Sequence, residues 1–184
     1  MSRADTKDIR VLAIDPSTRG FGFAILEGPE RLIDWAVKET KVNKNAKSLK
    51  LIDDLIDRYQ PNVIVVEDYE GKGSRRCYRV GALINDISKL AAKRKIMVRS
   101  FSRAKVKQAF FESGAVNKHE IASAIAKGFP ELAPRLPRVR KPWMSEDYRM
   151  SIFDAVALAT AFFHFQKQTG AGRMASSRRH LPLL

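Results

Sequence analysis

The chain is poor in cysteine, histidine and long apolar runs, and each shortage removes a class of function. One cysteine, Cys77, in 184 residues excludes an intrachain disulfide framework and any cysteine-cluster zinc site. His119, His164 and His180 are scattered, so a histidine-built metal centre is not expected. The longest apolar stretch, residues 152–165, carries Asp154 and falls short of the ~20 residues that a membrane-spanning helix needs. The opening residues, Met1 to Lys7, hold no apolar segment of signal-peptide type. Gly71-Lys72-Gly73-Ser74 lacks P-loop spacing, and no small-molecule cofactor is expected. The reading is an intracellular protein of a reducing compartment, with no membrane partner.

Acidic residues are also scarce. Lys and Arg number 34 against 20 Asp and Glu, a net charge of +14 with a pI near 10.2. Such a surplus attracts polyanions, and nucleic acid leads because neutralising phosphates releases counterions. An anionic membrane would call for an amphipathic basic helix, and none is evident.

The apolar pattern implies one domain over residues 1–169, then a basic, disordered tail over 170–184. Val11–Ile14, Phe21–Leu26 and Leu32–Val37 read as three strands joined by short turns, hence an antiparallel meander. Leu49, Ile52, Leu55, Ile56 and Tyr59 recur at helical spacing before Pro61. Val63–Val66 reads as a buried strand ending at Glu67. A helical stripe from Val80 to Ala91 then leads to a strand over Ile96–Phe101, which implies parallel pairing. Further helices are expected from Ser102 to Phe111, from Asn117 (capping-box spacing with Glu120) to Gly128, and from Tyr148 to Gln168. Residues 130–142, with four prolines, Arg135, Arg138, Arg140 and Lys141, read as a basic loop. The whole is an α/β fold: a five-stranded mixed sheet, three antiparallel strands then parallel ones, flanked by helices.

Three carboxylates stand where carboxylates are costly. Asp15 ends the first strand, Glu67 ends the fourth, and Asp154 lies in a helix whose residues 152–163 are otherwise polar only at Thr160. A helix apolar all round is buried, and a buried carboxylate has to be paired, neutralised or bound to metal. One such group is usually a hydrogen-bonded core residue. Three, with the first and fourth strands as neighbours and the last helix crossing their ends, converge. Converged carboxylates without Cys or His favour Mg²⁺, or Mn²⁺ in its place. Two such ions clamp the attacking and leaving oxygens of a phosphodiester displacement. Beside a basic surface, that chemistry is a nuclease.

Lys72, Arg75, Arg76 and Arg79 follow Glu67 between Tyr69 and Tyr78. Basic residues interleaved with aromatics suit a phosphate track with a stacking platform; the alternative is a solvated loop. Lys105, Lys107 and Lys118 are further candidates for phosphate contact. Residues 135–141 either embrace a DNA arm or form a mobile loop. Trp35 and Trp143 are expected to pack rather than stack.

Taken in order, the motifs resemble the RuvC-type Holliday junction resolvases of the RNase H-like superfamily. Ile14-Asp15-Pro16-Ser17-Thr18-Arg19 with Gly22 is similar to the family's opening Asp-Pro-Gly-Ser-Arg motif and its following glycine. Val63–Glu67 matches the strand ending in the second acid. Val106-Lys107, Gly114 and Lys118 resemble the family's Val-Lys, Gly and Lys segment, and Asp154-Ala155-Val156-Ala157-Leu158-Ala159 its closing helix. The resemblance implies an RNase H-like fold, a homodimer, and Mg²⁺-dependent cutting of four-way DNA junctions. The location would be the cytoplasm or nucleoid of a bacterium, or host cytoplasm for a viral source. Asp15, Glu67 and Asp154 would be the catalytic metal ligands, with Tyr69, Lys72, Arg75, Arg76, Lys107 and Lys118 on DNA. The expected dimer interface is the apolar surplus of the helix around Leu83 to Leu90.

Two departures stand out. Ser17 replaces a glycine of the opening motif. Ser151 stands where the family carries a fourth ligand, an acid or histidine, three residues before the last acid. Asp147 is the nearest substitute, a catalytic candidate that reads equally as a helix cap or first-turn acid. Two alternatives remain: an RNA-processing nuclease of the related YqgF type, and a non-catalytic junction binder.

Overall fold

Side chains alternate across a strand, so the period-two pattern of the strands decides which helix each face meets. The computed structural model describes residues 9–69 and 78–177. Strands β1 (Arg10–Pro16), β2 (Gly20–Glu27) and β3 (Arg31–Glu39) form the antiparallel meander. Helix α1 (Lys44–Tyr59) crosses to β4 (Val63–Glu67), and α2 (Tyr78–Lys93) crosses to β5 (Met97–Phe101). Both crossovers give parallel pairs, β1 with β4 and β4 with β5. The sheet order is β3-β2-β1-β4-β5, the mixed sheet that the sequence implies.

Leu12 and Ile14 of β1, Phe21, Phe23 and Ile25 of β2, and Ile64 and Val66 of β4 face α1 and α2. The intervening residues Val11, Ala13, Ala24, Leu26, Val63 and Val65 face the opposite layer. That layer holds α3 (Arg103–Ala109), α4 (Lys118–Gly128) and α5 (Met150–Ser177). Over residues 150–163 helix α5 is apolar around its circumference and lies buried, and the helix crosses β1, β2 and β4. Each buried Phe, Leu or Val there is worth about 1.5–3 kcal/mol relative to exposure.

Several boundaries differ from expectation. The helix begun at Ser102, whose Oγ accepts from the Lys105 amide at 3.3 Å, stops at Ala109. A 3₁₀ turn over Phe111–Ser113 follows, closed by Gly114 with φ of 72°, a conformation that favours glycine. Residues 130–135, expected in a loop, form a 3₁₀ helix that anchors itself through buried Leu132. Helix α5 runs to Ser177, past the expected end at Gln168, so the boundary placed at Gly170 falls inside it. Leu83, Ile84 and Ile87, expected to be free for a second copy, are buried within the chain against the sheet.

One close approach sets where α5 sits. Gly22 is opposite Asp15 in the β1–β2 ladder. A Cβ at Gly22 would lie 2.4 Å from the Ser151 carbonyl oxygen and 2.6 Å from its Oγ. The start of α5 therefore rests directly on the backbone of β2, and only glycine leaves room. Gly22→Ala should cost about 3 kcal/mol in a denaturant titration, by overpacking. Adding Ser151→Gly should not restore it, because the carbonyl that blocks the methyl group remains.

Candidate active site

The strand alternation that builds the two layers also aims the acids. Asp15 continues the series Val11, Ala13, and Glu67 continues Val63, Val65, so both turn toward the α5 layer. Ile14 pairs with Val66 in the parallel ladder, which sets Asp15 and Glu67 side by side at the strand ends. They are 4% and 6% exposed. Asp154 comes down on them from α5. The three line one cavity of about 450 Å³, together with Arg103, Lys107, Asn117 and Lys118 and an apolar wall that includes Val106, Ile121 and Leu158. The convergence expected from the sequence is present.

The chain's own cations offset this buried charge. The Arg103 guanidinium donates to Glu67 Oε1 at 2.8 Å. Lys118 Nζ stands 2.7 Å from Asp154 Oδ2 and 2.6 Å from Glu146 Oε1. Even so, Asp154 is held protonated unusually far up, its pKa pushed to about 7 by burial and then by the negative charge of Asp15, with Lys118 pulling the other way. Burial works against the charge on Lys118, but Asp154 and Glu146 outweigh it and raise its pKa. Lys118 is also the first residue of α4, where the helix dipole disfavours a cation. Below it Asn117 and Glu120 form a full capping box, so the helix start is satisfied and the lysine is left to the carboxylates.

The donor set fits a hard divalent cation: oxygen ligands only, from three separate elements, in a polar cavity. Among the described residues no three Asp, Glu, His or Cys side chains are gathered tightly enough to hold one ion. Arg103 and Lys118 stand against two of the acids.

The other candidates fall in varied places. Lys107 lines the cavity. Asp147 does not. Its Oδ1 accepts from the Arg149 amide at 2.9 Å, its carboxylate pairs with the Arg149 guanidinium at 2.6 Å, and this pairing lowers its pKa. Ser151 is buried and donates to the Tyr148 carbonyl at 2.8 Å. Tyr69 is half-buried, its ring against Gly81 of α2. Lys72, Arg75 and Arg76 lie outside the described residues. Arg79, read as part of the basic cluster, is instead tied to the Ser17 carbonyl and to Asn45 Oδ1, and so braces the β1–β2 turn. Trp143, expected to pack, is 78% exposed.

Sequence reasoning missed Arg103 and Glu146. Arg103 had a faint signal, since a helix start predicted at Ser102 points the next residues toward the end of β4. Glu146 had none. It reaches Lys118 across 28 residues of sequence.

The family model for crossover junction endodeoxyribonuclease RuvC matches residues 11–130. The crossover junction endodeoxyribonuclease RuvC of Thermomicrobium roseum is 27% identical over 167 residues, spanning 86% of this chain and 95% of the relative. The Thermus thermophilus RuvC structure superposes with a TM-score of 0.66 at 20% identity, covering 88% of this chain and 97% of the other. The T. thermophilus RuvC in complex with a Holliday junction substrate gives 0.64 at 18% identity, over 87% and 96%. Both likenesses show a shared fold, the RNase H-like class of mixed sheet with flanking helices.

The raised pKa of Asp154 has a thermodynamic signature. A carboxyl that holds its proton more tightly folded than unfolded costs stability as it ionises, here between about pH 4 and pH 7. In chelator, the melting temperature of Asp154→Asn minus that of the unaltered protein should therefore grow by several degrees from pH 5 to pH 8. A difference constant across that range would show that Asp154 ionises as an ordinary aspartate.

Proposed function

The chain belongs to the RuvC family of crossover junction endodeoxyribonucleases, and from that premise we propose which of its residues carry out the cleavage. The family membership makes it an endonuclease of Holliday junctions that binds branched DNA and depends on a divalent metal. No helix among the described residues is long and apolar enough to cross a membrane.

Asp15, Glu67 and Asp154 are the metal-holding acids, and Mg²⁺ is the working ion, with Mn²⁺ able to substitute. The observation that carries this is the convergence of the three acids, from β1, β4 and α5, on one cavity that also presents cations. When bound, the metal supplies positive charge to the attacking and leaving oxygens of the phosphodiester. The protein supplies the rest. Strands β1 and β4 hold two carboxylates rigidly side by side. The apolar wall around Ile121 and Leu158 limits water, which strengthens every charge interaction within. Lys118 and Arg103 neutralise the acids in the resting protein. Once the acids are engaged elsewhere, both cations are free to turn to the scissile phosphate, and Glu146 keeps Lys118 at the rim. Lys107, one helix away, adds a third phosphate contact. Lys72, Arg75 and Arg76, which follow Glu67 in the sequence, are further candidates for phosphate contact. Asp147 is a turn residue paired with Arg149 rather than a fourth ligand.

Asp15→Asn, Glu67→Gln and Asp154→Asn should each abolish cleavage of a synthetic four-way junction in Mg²⁺ while leaving junction binding within a few-fold, as read by gel shift. In the same assay Asp147→Asn should cut normally and cost at most about 1 kcal/mol of stability, since Asn preserves the turn. Near-normal cleavage by any of the first three would remove that residue from the site.

A junction presents two strands to cut, and two-fold symmetry places two identical sites on them. The protein therefore acts as a homodimer. Light scattering at micromolar concentration should give twice the 20.8 kDa chain mass; a monomeric mass with and without junction would overturn the symmetric arrangement.

A further inference from the structure

Trp143 is the largest exposed side chain outside the cavity among the described residues, and its surroundings are built to hold it out. Tryptophan is usually well buried; this one is 78% exposed, with Val139, Met144 and Tyr148 also open to solvent. The backbone beneath it is a tight turn, closed by the Met144 amide donating to the Lys141 carbonyl at 3.0 Å. Pro142 occupies the second position of that turn and restricts its backbone before folding. The Arg140 guanidinium reaches across and donates to the Met144 carbonyl. Lys141 Nζ stands 5.5 Å from the indole centroid. The ring is thus carried on a braced turn with Lys141 against it, in a segment that also exposes Arg138 and Arg140.

The turn is tied to the active site. Three residues beyond Trp143, Glu146 holds Lys118, which holds Asp154. Three residues of chain span roughly 10 Å at most, so Trp143 stands close to the residue that holds Lys118 at the cavity. A flat aromatic ring with a lysine against it, on a turn linked to the cavity through Glu146 and Lys118, matches a nucleobase face and its phosphates in both shape and charge. In a continuous duplex the base faces are covered by their neighbours. At a branch point they are not.

We propose that Trp143 stacks on a nucleobase at the branch point of the DNA substrate, beside the strand being cut, and so helps the enzyme tell a junction from a duplex. The proposal rests on the nuclease reading above and adds a specificity residue to it. Lys141 and Arg140 neutralise the phosphates on either side, and the turn presents the ring without an ordering cost.

The test uses the full-length protein in chelator, so that binding is read without cleavage, plus a separate cleavage assay in Mg²⁺. Junction DNA should quench the tryptophan emission of the unaltered protein, and most of that quenching should vanish in Trp143→Phe, which retains only Trp35. A 2-aminopurine placed at the branch point should lose fluorescence on binding, and Trp143→Ala should abolish that loss. Trp143→Ala should weaken junction binding roughly tenfold or more, change duplex binding less than twofold, and leave the melting temperature unchanged because the ring packs against little. Trp143→Phe should recover most of the affinity. Three results would overturn the proposal: unchanged junction binding in Trp143→Ala, equal losses on junction and duplex, or a change of oligomeric mass showing that the ring meets a second copy of the chain. Failure of the nuclease reading is separable, since the unaltered protein would then bind but not cut junction DNA in Mg²⁺.

Discussion

Three carboxylates share one sheltered cavity, and their mutual repulsion is the constraint that the surrounding chain answers. Asp15 and Glu67 are almost fully buried, and Asp154 is pushed toward protonation by burial and by Asp15. Such a cluster is stable only with positive charge close by. Arg103, at the start of α3, meets Glu67, and Lys118, at the start of α4, meets Asp154. Two helices whose axes begin at the rim of the cavity therefore each bring one cation to one acid. Under the proposed function the same repulsion would give a divalent cation held by these acids its affinity.

Lys118 shows how far local preference yields to this requirement. A lysine at the first position of a helix opposes the helix dipole, and here it is also partly enclosed. Asn117 and Glu120 satisfy the backbone beneath it by the usual reciprocal cap, so the unfavourable residue is a local exception inside an otherwise regular helix start. Conflicts of this kind mark functional positions. Glu146 completes the arrangement from a segment with no secondary structure of its own, and it couples the exposed turn at Trp143 to the cavity.

The alternation in Val11–Asp15 and Val63–Glu67 is legible in the sequence and is enough to put both acids on one face once the strands are neighbours. Asp154 is legible because it interrupts an apolar helix. Arg103 and Glu146 are not, since an exposed charged residue carries no local mark of a partner far away in sequence. Trp143 was expected to pack because tryptophan generally does; only the geometry of the Lys141–Met144 turn shows the ring outside. The Gly, Ser and Arg from Gly170 onward read as a tail and so set the end of α5 at Gln168, yet the helix continues to Ser177. The stripe at Leu83–Ile87 reads as surplus until the sheet face opposite is seen to use it.

Over residues 150–163 helix α5 has hydrophobic side chains on every side, so its own composition does not say which way round it should lie. A rod of uniform surface can roll or slide, and rolling by a quarter turn would carry Asp154 out of reach of Asp15. The notch at Gly22 prevents this, because the Ser151 carbonyl fits only one spot on β2. That spot is also the register point opposite Asp15. A missing side chain on the sheet thus acts as a keyway, setting the angle at which an apolar shaft delivers its one carboxylate. Position 22 is consequently bound to stay glycine in any descendant of this chain, because what bars a larger residue is the main chain of position 151, which no substitution there removes.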